Sequence, residues 1–302
     1  MKFKLNGKKS VFALGLILAA SQALSGSAVL AQTTPPNSAA GLNASYNWAG
    51  YVVQNGGYTS ISGTWTVPQV PAGSGLTGDA TWVGIGGVTD TALIQAGTQT
   101  LTNVNGQAVS YQAWYEMLPG NSQPIPITVA PGDSITASIS EQAQNQWTIA
   151  FRDNANGQNF QTTVNYSSPG SSAEWIEEMP SQSNGEFIPL DNFGAVNFTA
   201  AGVVQNGQNL NIAQAGGQQM TMLNSYQQVL ASPSALGYDG SSFSVSRASA
   251  AAAAPSTTPY GRTGWTRRGT GIQRLNGFFQ RGQRLLINRF KIRFYMRESF
   301  RK

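Results

Sequence analysis

The run Tyr58-Thr-Ser-Ile-Ser-Gly-Thr-Trp-Thr-Val67 alternates apolar and polar residues and stops at Pro68. A period of two puts successive side chains on opposite faces of an extended strand, so this pattern suits a half-buried strand and no helix. The pattern recurs. Ser134-Ile-Thr-Ala-Ser-Ile139 follows the turn signal Pro131-Gly-Asp133. Trp147-Thr-Ile-Ala-Phe151 runs into the turn Asp153-Asn-Ala-Asn-Gly157, and Phe160-Gln-Thr-Thr-Val-Asn-Tyr166 follows as its hairpin partner. Val196–Thr199 and Gln219–Met222 add shorter runs. Between 47 and 247 no long amphipathic helical period interrupts the series. Short Thr-, Val- and Trp-rich strands with Gly, Asn and Pro turns predict one all-β domain, a sandwich or jelly roll.

The residues that are missing limit the chemistry. The chain has no His and no Cys. Neither a Ser-His nor a Cys-His nucleophile can be built. Zinc sites of the His/Cys type and disulfides are equally out of reach. Any catalysis must use Asp, Glu, Tyr, Lys, hydroxyl or amide groups. Charged residues are 10% of the chain, against about a quarter in ordinary domains. The formal charge of +5 is carried by the two ends. Between residues 32 and 250 two cations, Arg152 and Arg247, stand against twelve acids, a net of −10. A basic total therefore gives this region no claim on nucleic acid. A surface with so few cations suits acidic surroundings, because protonating its acids leaves little positive charge to repel itself.

The ends read separately. Four Lys precede the apolar run Val11–Ala20, and Val29-Leu30-Ala31 supplies a small-residue exit, so residues 1–31 read as a secretory signal cleaved after Ala31. Residues 32–46 are a Thr/Pro/Ser leader. Residues 248–259 read as an Ala/Pro/Thr linker, and residues 260–302 form an Arg-rich tail with interleaved Phe, Leu and Ile. Two readings of the tail stay open: a segment that contacts anionic membrane or cell-wall surfaces, or a read-through end outside the working protein.

Four segments of the β region stand out: Asn47-Trp-Ala-Gly-Tyr51; Trp82-Val-Gly-Ile-Gly-Gly87 with Leu93-Ile-Gln-Ala-Gly97; Ala113-Trp-Tyr-Glu-Met-Leu-Pro119; and Ala173-Glu-Trp-Ile-Glu-Glu178. Taken singly, the Trp residues fit a sandwich core as well as a groove that grips an extended ligand. Gln95 sits in an apolar run, where a buried amide needs partners. Glu116 and Glu178 sit among apolar neighbours, where burial raises a carboxyl pKa and suits it to proton transfer. In an extended Ala173–Glu178, Glu174, Ile176 and Glu178 share one face, with Trp175 and Glu177 on the other. Glu177 then reads as structural or solvated, and Glu174 as a neighbour able to influence Glu178.

Together and in this order, the segments resemble the glutamic peptidases, or eqolisins, from about Asn47 to Arg247. The resemblance implies a sandwich of two curved antiparallel sheets and a secreted, acid-active, pepstatin-insensitive endopeptidase with protein or peptide substrates. It implies Gln95 and Glu178 as the catalytic pair, and Trp82, Trp114 and Glu116 as substrate-binding residues. It implies no metal and no cofactor. Many fungal members carry Asp after the Trp-Val-Gly-Ile motif, where this chain has Gly86. The implied pH range is about 2–4, near and below a free Glu pKa. A monomer is expected. Two other readings fit an aromatic-rich sandwich: a polysaccharide-binding jelly-roll module, and a glycoside hydrolase using Glu116 and Glu178. Gln95 separates them, because a sugar hydrolase has no required role for that amide.

Overall fold

The structure, a computed structural model, describes residues 43–249 except 74, 104, 106, 183 and 184. The expectations for the signal segment, the leader up to residue 42, the linker from residue 250 and the tail lie outside the described residues. Among the described residues there are sixteen strands and no helix. They are β1 (Asn43–Ser45), β2 (Trp48–Val53), β3 (Tyr58–Thr66), β4 (Gly78–Gly86) and β5 (Leu93–Thr102). Next come β6 (Val109–Met117), β7 (Gln123–Ile125), β8 (Ser134–Ala143), β9 (Gln146–Asp153), β10 (Asn159–Asn165) and β11 (Ala173–Glu178). β12 (Ala195–Gln205), β13 (Gln208–Asn211), β14 (Gln218–Leu223), β15 (Val229–Pro233) and β16 (Phe243–Arg247) complete the set.

The alternating runs fold as their period dictates. β3 buries Tyr58, Ile61, Gly63 and Trp65, and Thr64 reaches out to the Thr136 hydroxyl on β8 at 2.8 Å. β9 and β10 form the expected hairpin, with Phe160 opposite Phe151. One hydrogen-bonded path joins the strands in the order β10-β9-β8-β3-β12-β16-β15-β14-β2-β11-β4-β5-β6-β7. Every pair on this path is antiparallel; β1 lies parallel to β14 beside it.

The path curls into a sandwich in which β8, β3 and β12 cover β11, β4 and β5. The interior between the layers is one apolar cluster around Trp65, Phe151, Trp175, Phe198 and Phe243. Two indoles tie the layers together: Trp65 Nε1 donates to Thr98 Oγ1 at 2.9 Å, and Trp175 Nε1 donates to the Ser62 carbonyl at 2.8 Å. A buried indole N–H left without an acceptor would cost about 1–3 kcal/mol, so these bonds fix the stacking of the sheets as well as filling it. The central strands are covered on both sides. Every residue of β2, β4, β5 and β11 is buried. Their second face carries a separate apolar cluster of Trp48, Val52, Trp82, Leu93, Trp114, Ile176 and Met220. That second face carries the residues singled out in the sequence.

Candidate active site

Register alone assembles the site. On β11, β4, β5 and β6 the paired positions run Glu178–Ala80–Gln99, Ile176–Trp82–Gly97–Trp114 and Glu174–Gly84–Gln95–Glu116. β2 adds Trp48 beside Glu178 and Val52 beside Glu174. Paired residues on neighbouring strands point the same way, so all five residues singled out in the sequence lie on one face of four adjacent strands. The indole of Trp82 fits because its lateral neighbour is Gly97. A Cβ there would stand 2.3 Å from the Thr81 carbonyl and 2.6 Å from the Trp82 Cβ.

Glu178 is fully buried. Its Oε2 accepts the Trp82 indole N–H at 2.7 Å and its Oε1 accepts the Asn47 amide at 3.0 Å. The Met179 N–H donates to the Asn47 carbonyl at 2.8 Å, which pins Asn47 against the end of β11. The Trp48 ring meets Trp82 edge-on, with centroids 5.0 Å apart, and its indole N–H faces the same carboxyl without completing a bond of good geometry. Burial pushes the Glu178 carboxyl well above the usual glutamate range. The Trp82 donor pulls it back, and the Glu116 charge pushes it up again. Glu116 and Glu178 lie on the same face of the sheet.

Gln95 Nε2 donates to Glu116 Oε2 at 2.8 Å, while Gln95 Oε1 and Glu116 Oε1 find no partner within the described chain. Burial raises Glu116 to about 8, so it is neutral in acid. Trp114 lies in the apolar cluster, its indole N–H also without a partner in the chain.

Glu174 shares the face of Glu178, as its spacing requires, and is fully buried. The Ser172 hydroxyl lies beside it but makes no bond of good geometry, and burial pushes the carboxyl well up. Above it, Asp90 ties the β4–β5 loop to the segment before β11 by accepting from Ser171 Oγ and from the Ala92 N–H.

Of the two readings of Glu177, structural or solvated, the structure fits the structural one. Glu177 is fully buried on the core face, its Oε2 accepting from Thr81 Oγ1 at 2.7 Å. Both faces of β11 are covered, so alternation there does not sort inside from outside. Two neighbours of Glu178 carried no role in the sequence reading, Asn47 and Trp48. Their signal was an Asn-Trp pair in a short apolar stretch, where a buried amide needs an acceptor. An open depression on the opposite layer, lined by Ser60, Ser62, Gly202, Asn209 and Asn211, lies apart from this chemistry.

A sandwich without His or Cys that gathers a Glu, a Gln–Glu pair and three Trp on one buried face has the features of the glutamic peptidases. The solved structure of scytalido-glutamic peptidase with a transition-state analogue inhibitor is similar with a TM-score of 0.59 and 28% identity, covering 67% of this chain and 98% of that one. Aspergilloglutamic peptidase from Aspergillus niger gives 0.50 and 28%, covering 57% and 99%. In sequence, the chain is 32% identical over 196 residues to aspergillopepsin-2 of Aspergillus niger, covering 57% of this chain and 68% of that protein. It is 32% identical over 181 residues to scytalidopepsin B of Scytalidium lignicola, covering 56% and 67%. Residues 46–247 match the Peptidase A4 family, and the chain belongs to that family.

Proposed function

We propose that this protein is a secreted endopeptidase that cleaves peptide bonds on the acid side of neutrality, with Glu178 as general base and Gln95 as oxyanion donor. The observation that supports this most is the meeting of Glu178 and the Gln95–Glu116 pair on one buried face, each carboxyl held by N–H donors. Ionised Glu178 takes a proton from a water as that water attacks the peptide carbonyl. It then returns a proton to the departing amine. Gln95 has two amide hydrogens, one engaged by Glu116. The other is free for the developing oxyanion, a kind of contact that contributes about 3 kcal/mol. Glu116 orients that amide, and Trp82 and Trp114 give an extended peptide apolar surface.

The charge states set a pH window. Below its pKa Glu178 carries a proton and accepts none, and burial places that limit above the ordinary 4.5. Above about 8 an ionised Glu116 opposes negative charge at the oxyanion position. Burial thus moves the expected window upward from the pH 2–4 suggested by a free glutamate. The purified protein is expected to digest a denatured protein substrate at acid pH in the presence of pepstatin. A Glu178→Gln variant that folds yet keeps most of the activity would refute the assignment.

A further inference from the structure

Behind Glu178, on the core face of the same strand, three carboxyls meet that the catalytic reading does not use. Glu177 comes from β11. Asp79 comes from β4, two positions before the Thr81 that faces Glu177. Asp191 comes from the segment after β11. Its N–H donates to the Gly78 carbonyl at 3.3 Å, and the Gly78 N–H donates to the Pro189 carbonyl at 3.0 Å. All three side chains are buried. Glu177 and Asp79 stand within hydrogen-bonding reach of each other, with the Thr100 hydroxyl on Asp79. As carboxylates they leave Asp79 Oδ2, Glu177 Oε1 and both Asp191 oxygens without partners. Two carboxylates repel; with one proton between them, one donates to the other.

We propose that Asp79, Glu177 and Asp191 form a proton-held latch that positions Glu178 by clamping β11 to β4 and to the segment after it, and that opens when the cluster ionises. The groups facing the cluster are few. β4 and β11 bring Asp79 and Glu177, with Thr81 and the Thr100 of β5 uncharged between them. The later segment brings Asp191. β16 brings the cation Arg247, whose guanidinium donates to the carbonyls of Asp191 at 3.0 Å, Leu230 at 2.7 Å and Ala248 at 3.3 Å. Glu178 points the other way, its carboxyl on the far face of the sheet. Burial raises Asp79 to about 6 against the hydrogen bonds of Thr100 and Glu177; burial and the Asp79 charge raise Asp191 to about 9 against the Arg247 cation; and burial raises Glu177 as well. The folded state therefore keeps protons that the unfolded chain gives up near pH 4. The clamp is complete in acid and weakens as the pH climbs. Glu177 precedes Glu178 directly, and Trp82, a donor to Glu178, lies on the same strand as Asp79. Opening the latch therefore separates the carboxyl from its donor.

The catalytic part of this inference rests on Glu178 being the base, while the latch itself does not. The test uses Asp79→Asn and Glu177→Gln, singly and together, with Asp191→Asn as an independent route to the cluster. Thermal unfolding and kcat/KM are followed from pH 3 to pH 9. The variants are expected to match the parent within about threefold at pH 4. The midpoint of their alkaline loss is expected to move upward by about one pH unit or more, in both activity and melting temperature. An alkaline limb that stays put in the folded variants overturns the latch. Should none of them fold, Thr100→Val decides, since it removes the hydroxyl that favours ionised Asp79. A midpoint of alkaline melting that moves upward in this variant supports the latch, and one that stays put overturns it. Melting curves report the latch even if Glu178→Gln remains active, so failure of the catalytic reading is told apart from failure of the latch.

Discussion

Glu178 lies between two hydrogen-bond donors on one side and a second acid on the other, and each neighbour has a separable effect. Glu178→Gln keeps the shape and removes the proton acceptor. Its kcat is expected to fall by about 10²–10⁴-fold with the melting temperature in acid little changed. Gln95→Ala removes the amide donor and is expected to cost about 10²–10³-fold in kcat, with KM changing less. Asn47→Ala removes a donor that favours the charged form. With that donor gone, the carboxyl is harder to ionise, so the acid limb of kcat/KM should move to higher pH. A limb that moves down, or does not move, would remove Asn47 from the site. The sequence marked the acids because they are rare in this chain. It left Asn47 unassigned because nothing in one dimension shows that β2 and β11 pair with Trp48 opposite Glu178.

At the level of the strand, the outer elements were legible and the central ones only in part. β3, β8 and β9 have one buried face and one wetter face, so their alternation shows in the residues. β2, β4, β5 and β11 are packed on both faces, one cluster on each side. Their sequences lose the contrast between inside and outside, and Glu177 could be read as structural or solvated for that reason. Close approach between these strands is set by residues without side chains. Gly97→Ala is expected to push β4 from β5 at Thr81 and Trp82, lowering stability by about 1–3 kcal/mol. The displaced indole should also depress activity. A urea midpoint unchanged by this substitution would contradict the packing described for Trp82.

Among the described residues, more of the acids are buried than exposed. Asp79, Glu116, Glu174, Glu177, Glu178 and Asp191 are all raised, in each case mainly by burial. A carboxyl whose folded pKa lies above its unfolded value stabilises the fold fully below the unfolded value. That contribution is lost as pH rises through the folded one. The protein is thus expected to be most stable below about pH 4. It should weaken toward pH 9, by up to about 1.4 kcal/mol per pH unit for each proton retained. Melting temperatures from pH 2 to pH 9 test this, and a maximum near neutrality would refute it. Trp175→Ala probes the same scale through packing. It removes a buried indole and its bond to Ser62, with an expected cost of about 3–5 kcal/mol in a urea titration.

By itself, the sequence determined the class of architecture, the absence of histidine and thiol chemistry, and the short set of residues able to replace them. These depend on period, turn residues and composition, which are local properties of the chain. Tertiary structure alone decided which acids meet. Glu178 and Glu177 are adjacent in sequence, yet the sheet sends one to the tryptophan-rich face that also carries Gln95 and Glu116 and the other into a carboxyl cluster with Asp79 and Asp191. Strand pairing joins residues about a hundred positions apart, and burial then fixes their protons. Neither pairing nor burial is a property of a residue alone.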